Sequence, residues 1–370
     1  MTMMVRDEAD VIEAMIVHHV NQGIDRFIVT DNGSVDGTTS ILNRYAQAGL
    51  VDLRIDPVHR KQQSTAVTSM ARDAYTQYGA DWVINADADE FWVSKSGSLT
   101  VKQALEETPS SIQSFTAPVI DMTGPPARAG TGLNRLIYRD NRTDAELRRV
   151  GLFAHSTPDA VHIGHASVEV AQGNHKVSLA SLGQPPEHAM IEALHFSWRS
   201  WEQFSQKVAN AGRAYKNSPD LTPSPNHQGM RDYVRLQQGS LLAHYVARHP
   251  TVQELVDGLA DGTYTIDERI SSEHLPIVAD ELFTPEEIED LRESIAASLQ
   301  FERRALEAEH QLRVQTAMYE KAVAEYEEVI KELVRANATQ IASLEQQLGV
   351  YRNRRAVRMV DSVARHLRRK

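Results

Sequence analysis

Short apolar runs alternate with amphipathic stretches along the first ninety residues. Apolar runs predict strands, and stretches whose apolar positions recur every three or four residues predict helices. Strands that alternate with helices form βαβ units, so we expect a parallel sheet with ligands at the carboxyl ends of its strands. The predicted strands cover 3–5, 27–29, 51–55 and 82–84, and the predicted helices cover 9–22, a segment after Gly37, and 64–78.

The pattern changes beyond the fourth predicted strand. Residues 95–195 are rich in Gly and Pro, with strand-like pieces at 113–120 and 135–138, and we expect them to complete the same domain. Residues 198–250 have a helical pattern that is interrupted at 219–225. The predicted organisation is an α/β domain at 1–212, then an all-helical extension made of a helical subdomain at 213–284, a long helix at 285–351 and a basic tail at 352–370.

The long helix is predicted from its start signal and from its seam. Thr284 is a suitable N-cap, Pro285 suits the first helical position, and acidic residues follow. Steps of three and four residues, with one irregularity at Asn337, are typical of a coiled coil. We expect a homo-oligomer formed through 285–351; a long helix packed on its own domain is the alternative. The seam consists of Val323, Tyr326, Ile330, Leu333, Asn337, Ile341, Leu344, Leu348 and Tyr351.

Composition and charge narrow the function classes. The chain has 370 residues and no cysteine, which excludes disulfides, thiolate metal sites and a cysteine nucleophile. The net charge is −11, but residues 351–370 carry +7, so the rest of the chain carries −18. An acidic body argues against nucleic acid as a partner.

The two ends of the chain bear on its location. No run of 18 apolar residues occurs, and the start has no basic segment followed by an apolar one, so we expect a cytoplasmic protein. In 352–370 apolar residues form one helical stripe surrounded by arginines. Such a basic amphipathic helix is typical of anionic membrane surfaces, which predicts a peripheral position at the inner face of the membrane. Pairing of these arginines with acids of the body is the alternative.

The segment that indicates chemistry follows the fourth predicted strand. Asp87 and Asp89 are two residues apart, so in an extended chain their carboxylates lie on the same side and repel unless a cation lies between them. Mg²⁺ or Mn²⁺ typically takes one or two carboxylates together with substrate phosphates. The sequence therefore predicts a divalent-metal site for a diphosphate; two solvated loop acids are the alternative.

Several blocks of the chain resemble glycosyltransferase family 2, of the GT-A fold. The resemblance covers residues 1 to about 212, and the Asp-Ala-Asp-Glu-Phe form of residues 87–91 also resembles glycosyltransferase family 92. It implies a mostly parallel sheet flanked by helices, and metal-dependent transfer of a sugar, with inversion, from a nucleoside diphosphate donor to an acceptor hydroxyl. The matching blocks are 4–8, 13–19, 28–38, 85–91, 173–177 and 194–204, with Lys207.

The resemblance also implies roles for residues on the donor side. Asp31 would read the base of the donor nucleotide, which favours UDP. Arg199, and with it Lys207, would neutralise the departing diphosphate; helical salt bridges are the alternative. The complete implied donor set is Arg6, Glu8, Asp31, Arg60, Arg72, Asp87 and Ala88.

The implied metal ligands are Asp87, Asp89 and His195. A neutral imidazole suits Mn²⁺ better than Mg²⁺. A histidine that only packs beside Trp198 and Trp201 is the alternative for His195.

Inverting transfer needs a general base close to the acceptor hydroxyl. Glu169, His175 and Glu187 lie in the stretch where the resemblance places this base, and Asp121 is a more distant candidate. His175 has the support of the Gly-Asn-His block, whereas Glu169 has the more conventional chemistry.

The resemblance implies a glycan or a lipid-linked acceptor, in the synthesis of cell-surface glycans or glycolipids. A catalytically degenerate nucleotide-sugar-binding or scaffold protein that oligomerises through the C-terminal helix is the main alternative. A nucleotidyltransferase would normally show a Gly-rich basic loop after the first strand, and residues 6–8 are Arg-Asp-Glu.

Overall fold

The computed structural model describes residues 1–58, 63–218 and 227–369 and confirms a mixed α/β protein. These residues form two compact units, 1–304 and 305–370. The strands are β1 (Thr2–Val5), β2 (Phe27–Asp31), β3 (Val51–Ile55), β4 (Trp82–Ile84), β5 (Glu90–Ser94), β6 (Ser114–Ala117), β7 (Val119–Thr123), β8 (Ala127–Ala129), β9 (Tyr138–Asp140), β10 (Asp159–Ile163), β11 (Ile191–His195), β12 (Tyr264–Ile266) and β13 (Glu281–Leu282). The helices are α1 (Ile12–Asn21), α2 (Thr38–Gln47), α3 (Gln63–Thr76), α4 (Val101–Glu106), α5 (Asp144–Arg149), α6 (Trp201–Lys216), α7 (Gln228–Gln237), α8 (Leu241–Arg248), α9 (Val252–Asp261), α10 (Pro285–Arg352) and α11 (Arg355–Leu367).

The first ninety residues have the predicted parallel arrangement. Strands β1, β2 and β3 are parallel neighbours with β2 in the middle, and Thr2 bridges in parallel to Asn85, just beyond β4. All five residues of β2 are buried, which explains its unbroken apolar run. The bounds of β3 and β4 are those predicted from the sequence. The carboxyl ends of β1, β2 and β4 therefore carry the Arg6, Asn32 and Asp87 segments.

Antiparallel pairing in the middle of the chain assembles the site. Strand β11 pairs in antiparallel fashion with β5, which places His195 opposite Glu90. The same strand pairs in parallel with β7, which places His195 beside Asp121. Strand β10 lies between β4 and β6, so its first residue, Asp159, reaches the same region. Residues distant in sequence are thus brought together by strand register.

The prediction of an all-helical extension is wrong for residues 213–284. Strand β12 pairs with β9 and strand β13 pairs with β8, so this stretch completes sheets that begin in the N-terminal part. The run Tyr264-Thr265-Ile266 is aromatic and β-branched, which favours a strand at an open sheet edge. The boundary predicted at 212/213 falls inside α6, and the predicted interruption at 219–225 lies outside the described residues.

The long helix begins at Pro285, as predicted. Glu287 N donates to Thr284 Oγ1 at 3.3 Å, and Thr284 N donates to Glu287 Oε2 at 2.9 Å, so a capping box starts the helix. From 311 to 369, a stretch that the structure describes throughout, no residue is buried. The pairing of this helix in a coiled coil stays a prediction. No helix in the described ranges combines the length and apolar character required to span a bilayer.

Candidate active site

A cleft of about 770 Å³ in residues 1–304 gathers part of the chemistry that the sequence singled out. The residues with a predicted chemical role that line it are Asp87, Asp121, His175, His195 and Lys207. They come from the loop after β4, strand β7, the loop after β10, the end of β11 and helix α6. One open site therefore gathers carboxylates, imidazoles and an ammonium group.

Asp87 is half-buried at the wall of the cleft. Its Oδ1 accepts hydrogen bonds from Gln63 Nε2 at 3.2 Å and from Asn174 Nδ2 at 3.5 Å. Its backbone N–H donates to Glu90 Oε2 at 3.2 Å. Burial, together with repulsion from Asp89, raises the pKa of the Asp87 carboxyl.

Asp89 is fully buried and does not line the cleft. Lys207 Nζ lies 2.5 Å from its Oδ2, and Arg199 Nη1 and His195 Nε2 lie 3.5 and 3.7 Å from the same oxygen. Burial alone would raise the pKa of Asp89, but Lys207, His195 and Arg199 hold it well below its usual value. Asp89 is thus an anionic anchor for three surrounding cations.

His195 is held between two acids. Its Nδ1 lies 3.2 Å from Asp121 Oδ1 and 3.0 Å from Ser156 Oγ, and its Nε2 lies 2.8 Å from Ser197 Oγ. Burial would lower the pKa of His195, but Asp89 and Asp121 raise it well above its usual value. The two acids therefore favour the charged form of the ring.

The three predicted metal ligands do not form a metal centre in this arrangement. Among the residues that the structure describes, no group of three or more His, Asp and Glu side chains could hold a metal ion. Asp87 lines the cleft, and Lys207 and His195 contact Oδ2 of Asp89. Asp89 Oδ1 is buried and has no hydrogen-bond partner, so it is the oxygen of Asp89 that an ion could contact without displacing Lys207.

Arg199 is completely buried, which corrects the prediction that it touches the diphosphate. Its Nη2 donates to Glu8 Oε2 at 2.6 Å and its Nε donates to Asp10 Oδ2 at 2.8 Å. With Asp89 it therefore joins the loop after β1 to the loop after β4. Glu8, predicted to contact the donor, is a buried member of this network, and burial raises the pKa of Glu8 to about 7 despite the nearby Arg199.

The other predicted donor residues that the structure describes lie outside the cleft. Asp31 is the last residue of β2 and only 1% exposed; its Oδ1 accepts from Ser34 Oγ at 2.6 Å, and its Oδ2 accepts from Thr39 Oγ1. Arg6 donates to the carbonyl oxygen of Asn32. Ala88 is buried, and Arg60 lies outside the described residues. Recognition of the base by Asp31 stays a prediction.

Two of the predicted residues share a different pocket. Arg72 and Glu169 line a pocket of about 700 Å³ beside α3, where Arg72 Nη2 lies 3.6 Å from Glu169 Oε1. The Glu169 side chain is 75% exposed, and neither residue lines the cleft with Asp87. Glu187 also lies outside that cleft, and Asp121 already accepts hydrogen bonds from His155, Ser156 and His195. The geometry therefore favours His175 among the candidate bases.

His175 forms a pair with Asp159, a residue that sequence reasoning missed. His175 Nδ1 lies 2.7 Å from Asp159 Oδ1; Asp159 is buried, whereas the imidazole is 41% exposed and lines the cleft. Gly173 and Asn174 both have positive φ, +82° and +62°. A Cβ at Gly173 would lie 2.8 Å from His175 Nε2 and would require the imidazole to shift, and the positive φ also favours glycine there. The Gly-Asn-His block is thus a turn that positions the imidazole.

A comparison with solved structures finds low similarity over most of the chain. S. aureus TarS 1–349 is 12% identical with a TM-score of 0.30, covering 84% of this chain and 90% of that one. The same fragment in complex with UDP-GlcNAc is 12% identical with a TM-score of 0.30, covering 84% and 91%. Similarity at this level carries no conclusion about fold or ligand.

Comparison with sequences is more informative for the N-terminal part. No curated protein matches the chain. Residues 1–120 match the family model described as Glycosyltransferase family 92. The match includes Asp31, Asp87 and Asp89, and ends before His175 and His195. Residues 1–120 are therefore similar to glycosyltransferase family 92, which confirms the resemblance to a glycosyltransferase predicted from the motifs.

Proposed function

We propose that the protein transfers a sugar from a nucleoside diphosphate donor to an acceptor hydroxyl, at the cleft lined by Asp87, His175 and Lys207. The family match supports the class of reaction. One observation carries the assignment to this cleft: an imidazole oriented by a buried carboxylate and a lysine ammonium line the same space. A base for the acceptor and a cation for the leaving group are what a single displacement requires.

His175 is the general base of this proposal. With Nδ1–H donating to Asp159, the neutral ring presents Nε2 as a proton acceptor. The acceptor oxygen forms a bond to the anomeric carbon as its proton passes to Nε2. The bond from that carbon to the diphosphate oxygen breaks, and its electron pair leaves with the nucleoside diphosphate. Attack opposite the leaving group inverts the anomeric centre. Asp159 orients the ring and stabilises the imidazolium that forms.

Lys207 is the cation of this proposal for the departing diphosphate. Its side chain is 41% exposed, so the ammonium group can face the cleft while it contacts Asp89. Burial alone would lower the pKa of Lys207, but Asp89 and Glu8 raise it, so the group stays charged at neutral pH. A fixed positive charge in a partly desolvated cleft stabilises the negative charge that develops on the leaving group.

The proposal includes two finer points predicted from the sequence: the donor is a UDP-sugar, and Mn²⁺ or Mg²⁺ takes part in the reaction. The UDP preference depends on Asp31 alone. Use of a metal depends on Asp87 and on Asp89, whose Oδ1 has no hydrogen-bond partner.

The test is release of nucleoside diphosphate from UDP-, GDP- and dTDP-sugars by the full chain, with Mn²⁺, with Mg²⁺ and with a chelator. We expect turnover of one nucleotide class and strong loss in Lys207→Gln. Lys102→Gln is the matched control, because the Lys102 side chain is 43% exposed, pairs with Asp25 and does not line the cleft. Binding without turnover of any donor would favour the degenerate sensor or scaffold, and turnover unchanged in Lys207→Gln would contradict the role of Lys207.

A further inference from the structure

The C-terminal helix α11 leaves its apolar side chains without cover. In the unit formed by residues 305–370, Met359, Val360, Val363 and Leu367 are 74%, 68%, 58% and 72% exposed. Together with Ala364 they line one shallow apolar surface. Exposed apolar surface of this kind marks an interaction site.

The two faces of α11 are completely segregated. At about 100° per residue, seven apolar residues fall within an arc of roughly 160°. The remaining residues of 354–369 are all polar or charged and fill the opposite arc. The apolar arc consists of Ala356, Val357, Met359, Val360, Val363, Ala364 and Leu367, and the polar arc consists of Arg354, Arg355, Arg358, Asp361, Ser362, Arg365, His366, Arg368 and Arg369.

The charge of the polar arc identifies the kind of partner. It contains six arginines and one aspartate. Two of the guanidinium groups bond neutral oxygens: Arg358 donates to Asn353 Oδ1 at 2.7 Å, and Arg365 donates to the carbonyl oxygen of Asp361 at 3.1 Å. Arg368 lies at one border of the apolar arc, and His366 followed by Arg355 lies at the other. Long side chains there can extend from a buried apolar face towards water.

We propose that α11, with Arg368 and Arg369, binds in the plane of an anionic phospholipid surface. The apolar arc inserts at the boundary between headgroups and acyl chains, and the arginines contact lipid phosphates. A second copy docked on the apolar arc would bring two sets of arginines together. A nucleic acid would pair with the arginines and leave the apolar arc in water. An anionic bilayer is the partner that matches both the apolar arc and the arginines of the polar arc.

The test measures co-sedimentation of the full chain with vesicles of phosphatidylcholine alone and of equimolar phosphatidylcholine and phosphatidylglycerol. One triple variant, the stripe variant, replaces three residues of the apolar arc (Met359→Gln, Val363→Gln, Leu367→Gln). Another, the charge variant, replaces three arginines of the polar arc (Arg358→Gln, Arg365→Gln, Arg369→Gln). Glutamine is a good helix former, so both variants keep the helical propensity of α11. The control is Val252→Gln with Val256→Gln, because these valines are 76% and 57% exposed on the acidic helix α9.

We expect binding to the anionic vesicles only. The charge variant should bind about a hundredfold more weakly, from roughly fivefold per cation removed, and the stripe variant should bind at least about tenfold more weakly. The control should bind like the unmodified chain. Binding that survives in the stripe variant, equal binding to both kinds of vesicle, or no binding at low salt would overturn the proposal. Retention of labelled RNA by the stripe variant but not by the charge variant would replace lipid with nucleic acid.

Discussion

Residues 1–304 and residues 305–370 differ in how far their side chains are buried. The first unit contains nearly all of the buried apolar side chains. It also buries charged side chains such as Asp89 and Arg199, which are paired with each other. In the second unit, no residue from 311 to 369 is buried, and apolar side chains such as Ile330 and Leu344 are more than half exposed. The first unit covers most of its large apolar side chains and pairs buried charges with one another, whereas the second presents apolar surfaces that remain to be covered.

The difference in burial indicates which feature of each unit is expected to carry its function. In residues 1–304 the chemistry lies in a cleft whose groups are held by buried partners. In residues 305–370 the informative feature is the pattern of exposed side chains along two helices. Changes to the first unit should therefore alter turnover and folding stability, and changes to the second should alter association.

The largest expected effect concerns the base. His175→Gln should lower turnover of the sugar donor by about 10²–10⁴-fold, because a positioned general base contributes on that order. Glu169→Gln, at the other candidate base, should leave turnover nearly unchanged because Glu169 lies in a separate pocket. The measurement is kcat for both variants. The reverse ranking would assign the base to Glu169.

The next effect concerns the buried charge network. Arg199→Met should reduce the free energy of unfolding by about 3–5 kcal/mol, because it leaves the buried Glu8 and the half-buried Asp10 without their cation. Arg44→Met is the control: the Arg44 side chain is 61% exposed and pairs with Glu13 at 2.9 Å. Its loss should cost less than about 1 kcal/mol. Equal losses in urea unfolding would show that burial does not distinguish the two arginines.

The third effect concerns the predicted coiled coil. Val323→Asn lies in the seam and should weaken self-association about thirtyfold, from about 2 kcal/mol for one buried valine. Val314→Asn changes the same residue type nine positions earlier, on the opposite side of α10. The two valines are 55% and 47% exposed. Sedimentation velocity measures the change, and a monomeric unmodified chain would rule out the coiled coil.

The smallest effect concerns pH and the first turns of α10. Burial would raise the pKa of Glu302, but His244 and Arg235 lower it from 4.5 to about 2. Because the folded-state pKa is depressed, this stabilisation is present above pH 4.5 and is lost as pH falls towards 2. Glu302→Gln should therefore cost about 1–2 kcal/mol at neutral pH and progressively less in acid. Glu289→Gln, an exposed change on the same helix, is the matched control.

Short stretches of sequence were enough to predict some elements and one motif of the site. Strands β3 and β4, the start of α10 at Pro285, and the Asp pair after β4 are all visible in short stretches of sequence. The strand β12 was visible too, in its β-branched run, but the surrounding helical pattern concealed it.

The pairings within the site could not be predicted in this way. Lys207 meets Asp89 across 118 positions of sequence, and His175 meets Asp159 only because the turn at Gly173 directs it there. Strand register and helix packing decide these contacts, and neither is encoded in the spacing of the residues concerned. The burial of Arg199 is hidden for the same reason.

Binding of nucleotide to the unmodified chain tests the central claim most directly. We would measure thermal unfolding with UDP, GDP and dTDP, each with and without Mn²⁺, and repeat the best condition with Asp87→Asn. A ligand present at about 100 times its Kd should stabilise the fold by about 2.7 kcal/mol. The account predicts such a shift for one nucleoside diphosphate and its reduction in Asp87→Asn. No shift with any nucleotide, or an undiminished shift in Asp87→Asn, would contradict a nucleotide-sugar site in this cleft.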